Sequence, residues 1–115
     1  MLEPYIAAKA AMDSLAVTCA GELSRWGIET SIIVPECFTK GTNRFPTAES
    51  PSDTTTEEEY DDGAYRGPAK QVFDGLAELE PNDADVGEVA EAIVNVVGTP
   101  FGKRPLRVYI DPSKI

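Results

Sequence analysis

The sequence predicts an α/β fold in which helices cover a parallel sheet. Three observations carry this. A helix-period apolar stripe runs from Ala8 to Trp26 and stops at Gly27. The stretch after it, residues 28–35, is apolar without strict alternation through Ile32, Ile33 and Val34, the pattern of a strand covered on both faces. A second helix-period stripe, Val86 to Val97, leads into another short apolar run at 106–110.

Each element has a local cause. Pro4 suits the first turn of a helix, where its missing N–H costs nothing. Ala8, Met12, Leu15, Cys19, Leu23 and Trp26 keep helical spacing, and this face is expected to lie on the sheet. Gly27 is placed to end the helix in a left-handed turn. Residues 36–67 hold six Thr, a run of acids and no convincing periodicity, so a long acidic loop is expected, either a lid or a solvated mobile segment. A helix follows over 68–79, with Val72, Leu76 and Leu79 on one face and a break at Pro81 and Asn82. Asp85 and Glu88 resemble a capping box, and Val86, Val89, Ala90, Ile93 and Val97 form the stripe of the next helix. Gly98 and Pro100 close it. Residues 106–110 read as the last strand, with Pro112 marking its end. The order is helix, strand, long loop, helices, strand: one right-handed crossover with a helix in front. Two parallel strands support such helices poorly, which suggests strands that join others from another segment.

Composition bounds the function. At 115 residues, 42% hydrophobic and 26% charged, the chain suits one domain of ordinary globular character. Its net charge of −10 argues against nucleic acid and against anionic membranes. No apolar run is long enough to span a bilayer, and the N-terminus lacks a signal-peptide layout, so a cytoplasmic location is the default. Cys19 and Cys37 read as reduced structural thiols. With no histidine, a zinc site and Ser-His-Asp catalysis both drop out. The acids Asp53, Glu57, Glu58, Glu59, Asp61 and Asp62 lack the spacing of a calcium loop and read as a solvated surface.

The chemistry-bearing pair is Tyr5 and Lys9. Residues four apart share a helix face, so phenol and ammonium can point into one cleft. A free tyrosine titrates near pH 10, leaving about one molecule in a thousand as phenolate at neutrality. A fixed cation nearby favours the ionised form and suits the group to general acid–base work. The plain alternative is a lysine stem covering an aromatic ring on a helix surface.

The surrounding residues go further. The stretch PYIAAKAAMDSLAVTCAGELSRWGIETSIIVP resembles the catalytic helix and following strand of the short-chain dehydrogenase/reductase family. DADVGEVAEAIVNVVGTPFGKRPLRVYID continues the likeness more loosely, so that it covers most of the chain outside 37–66. The resemblance implies the C-terminal portion of a Rossmann-like doubly wound parallel sheet. It also implies NAD(P)-dependent hydride transfer between the cofactor and a small alcohol or carbonyl. Tyr5 would exchange the proton with the substrate oxygen, and Lys9 would tune Tyr5 and bond the nicotinamide ribose. Pro35, Glu36 and Thr39 would lie near the nicotinamide. The family has glycine where Glu36 stands, and a carboxylate there would crowd the ring or favour its oxidised form. Lys40 stands where the family often has a threonine reaching the carboxamide, with Thr39 and Thr42 as neighbours. Cys37, Phe38, Phe45, Tyr60 and Tyr65 are the candidates to line a substrate pocket. The family's upstream serine, glycine-rich turn and asparagine have no counterpart among these residues, since only Met1, Leu2, Glu3 and Pro4 precede Tyr5. The chain therefore reads as the second half of an oxidoreductase, inactive alone. In the family the tyrosine-bearing helix packs on a second subunit, so the alternative is a non-catalytic module that docks on a full-length relative or forms a homo-oligomer.

Overall fold

The computed structural model describes residues 3–36, 38 and 50–113. They fall into two units. One joins the described residues through Glu36 with Gly87–Asp111; the other takes those from Phe38 to Val86, with Pro112 and Ser113.

The first unit is α/β. Helix α1, Glu3–Leu23, runs into a 3-10 turn at Ser24–Trp26. Gly27 ends it at φ 71°, the left-handed conformation that glycine adopts without a Cβ clash, and its N–H bonds the Ser24 carbonyl. Strand β1, Ile32–Pro35, pairs in parallel with β2, Arg107–Ile110, matching Ile32 to Arg107 and Pro35 to Ile110. The ladder is bounded by Ile32 N–H to Leu106 O at 2.7 Å and Glu36 N–H to Ile110 O at 2.9 Å. β1 begins later than the apolar run suggests. Opposite its lead-in stands Pro105, which has no N–H to give, and the Ser31 hydroxyl bonds the Pro105 carbonyl instead at 2.8 Å. Ile32, Ile33 and Val34 are all half-buried although successive side chains point to opposite faces, so both faces of the strand are partly covered.

A further helix of this unit, Gly87–Gly98, packs against both strands. Its half-buried residues are Gly87, Val89, Ala92 and Val96, while Ala90, Ile93 and Val97 are exposed. The expected stripe is thus rotated. Only Glu88, Glu91 and Asn95 interrupt the apolar surface of this helix, so periodicity alone does not choose which apolar side meets the sheet. The same correction applies to α1. Met12, Leu15 and Cys19 lie exposed, and the half-buried residues are Asp13, Ala16, Ala20 and Leu23. Asp13 is drawn to the sheet by Arg107, which turns the small-residue side of the helix inward.

In the second unit the expected loop carries a helix. Helix α2, Thr54–Asp61, starts at Asp53, whose carboxylate accepts the Thr56 N–H at 3.0 Å and the Thr56 hydroxyl at 2.8 Å. This N-cap, with Glu57 in the first turn near the positive end of the helix dipole, organises a segment without apolar periodicity. Helix α3, Pro68–Leu79, falls where its stripe places it, with Gly67 left-handed before it and Pro68 at its first position. Completing the chain order, Gly87–Gly98 is α4. Among the described residues Ile110 and Pro112 are buried, and the buried charged residue is Glu80, just after α3.

The cap makes α2 acid-sensitive. The Thr56 N–H, and then its hydroxyl, hold the Asp53 carboxyl below the usual carboxylate range. A pKa lowered by folding stabilises above the unfolded value, and that contribution is lost as pH falls through the folded value. Cα chemical shifts of Thr54–Asp61 should therefore move toward coil below the usual aspartate range. Asp53→Ala should show the coil-ward shift at neutral pH, and Asp53→Asn should retain the helix but lose the pH dependence. Unchanged shifts in Asp53→Ala would contradict the capping assignment.

Candidate functional site

Tyr5 and Lys9 lie one turn apart near the start of α1, and the Lys9 ammonium sits 5.7 Å from the centre of the Tyr5 ring. Both side chains are exposed. Two ties give the direction of α1 against the strands. Asp13, in mid-helix, is bonded by Arg107, the first residue of β2. Ala20 and Ser24, nearer the helix end, line a groove of about 360 Å³ with Ile28, Glu29, Thr30, Phe101, Arg104 and Leu106, which lie before the strands begin. Moving back along α1 therefore means moving forward along both strands. From Asp13 to Tyr5 the helix rises about 12 Å. From Arg107 to Ile110 the strand advances about 10 Å. Tyr5 and Lys9 therefore lie on the side of Asp13 that runs toward the carboxyl ends of β1 and β2.

That end carries Pro35, the exposed last residue of β1, and Glu36, whose N–H closes the ladder on Ile110 and whose side chain is exposed. The carboxyl edge of a parallel sheet is where open α/β folds bind ligands. That end of the sheet exposes a strand terminus, Pro35, and a carboxylate, Glu36. Thr39, Lys40, Thr42, Cys37 and Phe45 lie outside the described residues. Phe38 is half-buried. Tyr60 and Tyr65 pair with each other in the second unit, ring centres 6.3 Å apart and tilted by 55°.

Two ion pairs hold the first unit together, and the periodicity of the sequence marks neither. Arg107 bonds Asp13 across 94 positions of chain. Its signal was a lone charge at the head of an apolar strand and an acid one turn beyond Lys9. Arg104 is the more connected. Its Nε donates to the carbonyls of Val96 at 3.2 Å and Thr99 at 2.9 Å, and Nη2 donates to Val97 at 3.2 Å. Nη1 reaches Glu29 at 3.2 Å, and the other Glu29 oxygen accepts the Gly102 N–H at 2.5 Å. A guanidinium thereby donates to carbonyls at and just past the end of α4, sharing that of Val96 with the Thr99 N–H, and places a positive charge at the negative pole of the helix dipole.

Among the described residues no group of three or more acids and cysteines is arranged to hold a metal ion. None of their helices is long and apolar enough to cross a membrane. No protein-family model matches the chain, and no curated protein matches it.

Proposed function

We propose that this chain is the proton-transferring part of an oxidoreductase of the short-chain dehydrogenase/reductase type, reducing or oxidising a small alcohol or carbonyl with NAD or NADP. The observation that carries this reading is the Lys9 ammonium over the Tyr5 ring, on a helix tied by Asp13 to a parallel strand pair. Tyr5 would hold the proton that the substrate oxygen takes or gives. Lys9 would keep positive charge beside the phenol and donate to a ribose hydroxyl. The nicotinamide supplies the hydride when bound.

The residues present suit only part of that cofactor. Lys9 and the strand end at Pro35 suit the ribose and ring. Glu36 puts a carboxylate where a close backbone approach is wanted. Among the described residues no glycine-rich turn leads from a strand into a helix, so nothing cradles a pyrophosphate in the usual way. The two strands β1 and β2 then belong to a larger Rossmann-like sheet completed by a cofactor-binding segment, which places the cofactor's phosphates. Exposed apolar side chains support a missing surface: Met12 is 58% exposed, Leu15 65% and Trp26 80%. The same exposure favours the second reading, a module that docks through α1 on a full-length relative without catalysing anything.

The test is calorimetric titration with NADH and NADPH. The chain alone should show no measurable binding. Combined with the N-terminal half of a short-chain dehydrogenase, it should bind one of them, with Lys9→Ala weakening that binding. Micromolar affinity of the chain alone, or binding by the combination that Lys9→Ala leaves unchanged, would contradict the cofactor assignment.

A further inference from the structure

We infer that Arg107 is a positioning residue for the Tyr5–Lys9 pair, acting by occupying Asp13 and so leaving Lys9 to Tyr5. Tyr5, Lys9 and Asp13 follow one another at four-residue intervals on α1, so Lys9 has a neighbour of each kind, a phenol on one side and a carboxylate on the other. A lysine between them divides its time according to what each offers. In this structure the contest is decided from outside the helix. The Arg107 guanidinium bonds the Asp13 carboxylate, and the Lys9 ammonium lies over the Tyr5 ring. The charged groups in these two contacts are Lys9 and Asp13 from α1 and Arg107 from β2.

This inference rests on Tyr5 and Lys9 working together, but it makes a claim of its own. If Arg107 were only a fastener between helix and strand, cutting the tie from either side would have the same effect. If Arg107 guards Lys9, the two sides differ. Arg107→Gln leaves a bare carboxylate that draws Lys9 away. Asp13→Asn removes the competitor, and Lys9 stays. The double variant removes both the guard and the need for it.

The experiment measures the titration midpoint of Tyr5 by NMR on the full chain carrying ¹³Cζ-tyrosine, with the Tyr5 signal identified by its loss in Tyr5→Phe. A unit charge 5.7 Å from the ring centre, screened as in water, displaces the midpoint by about half a unit. Arg107→Gln should raise the midpoint by up to about that much. Asp13→Asn should leave it unchanged, the double variant should restore the starting value, and in a Lys9→Ala background Arg107→Gln should have no further effect. Equal shifts in Arg107→Gln and Asp13→Asn, no shift in any variant, or a shift that persists without Lys9 would each overturn the assignment. The readout needs no turnover. If Tyr5→Phe proved fully active while these shifts appeared, the catalytic reading would fall and the positioning role would stand.

Discussion

Replacing Tyr5 with phenylalanine, in this chain combined with a cofactor-binding half, is expected to lower turnover by about 10²–10⁴-fold. Cofactor affinity should change little, because the substitution removes one hydroxyl and leaves the ring under Lys9. Lys9→Ala should lower both turnover and affinity, since one ammonium serves the phenol and the ribose. Lys9→Arg should recover little of either, because a planar fork does not replace a compact, strongly hydrated point charge. Tyr109 is the control. It is 65% exposed on β2, and its change to phenylalanine should leave turnover as it was. Steady-state rates with saturating cofactor distinguish these cases, and full activity in Tyr5→Phe would remove Tyr5 from the chemistry.

The largest effect on stability is expected at Arg104. The guanidinium joins the end of α4 to Glu29, and the two side chains are 30% and 19% exposed, so solvent screens the pair only in part. Arg104→Ala breaks the bonds to Val96, Val97, Thr99 and Glu29 at once. It also leaves a partly buried carboxylate with only the Gly102 N–H. A loss of about 2–4 kcal/mol is expected. Arg104→Lys should recover less than half of it, because three donors on one nitrogen cannot span acceptors on α4 and before β1 together. The urea midpoint measures this. A shift in Arg104→Ala worth less than about 0.5 kcal/mol would mean that the α4 terminus is held by something else.

Sequence pattern located elements better than faces. α3 begins at Pro68 and ends at Leu79 as its spacing and proline imply, and α1 gives way at Gly27 because glycine takes the left-handed turn there. The parallel pairing of β1 with β2 follows from two apolar runs separated by helices. α2 stayed hidden because its signal is a cap and not a stripe: Asp53 and Thr56 organise residues that carry no apolar period. The inward sides of α1 and α4 were hidden for another reason. Both helices are apolar over most of their circumference, and long-range charges choose the side: Arg107 pulls on Asp13, and Arg104 pins the end of α4. In the candidate site, the Tyr5–Lys9 contact was legible from four-residue spacing alone. The direction of α1 against the strands was not, because that depends on the tie between residues 13 and 107.

Isotope transfer tests the central proposal most directly. The chain is combined with the N-terminal half of a short-chain dehydrogenase and supplied with reduced nicotinamide cofactor deuterated at the transferable position. It is then incubated with a set of small aldehydes and ketones. Deuterium should appear on the carbinol carbon of at least one product, and Tyr5→Phe should reduce the amount by about 10²-fold or more. A folded combination that binds cofactor and transfers no deuterium, or transfers it equally well with Tyr5→Phe, would contradict the proposal that Tyr5 and Lys9 carry the proton chemistry.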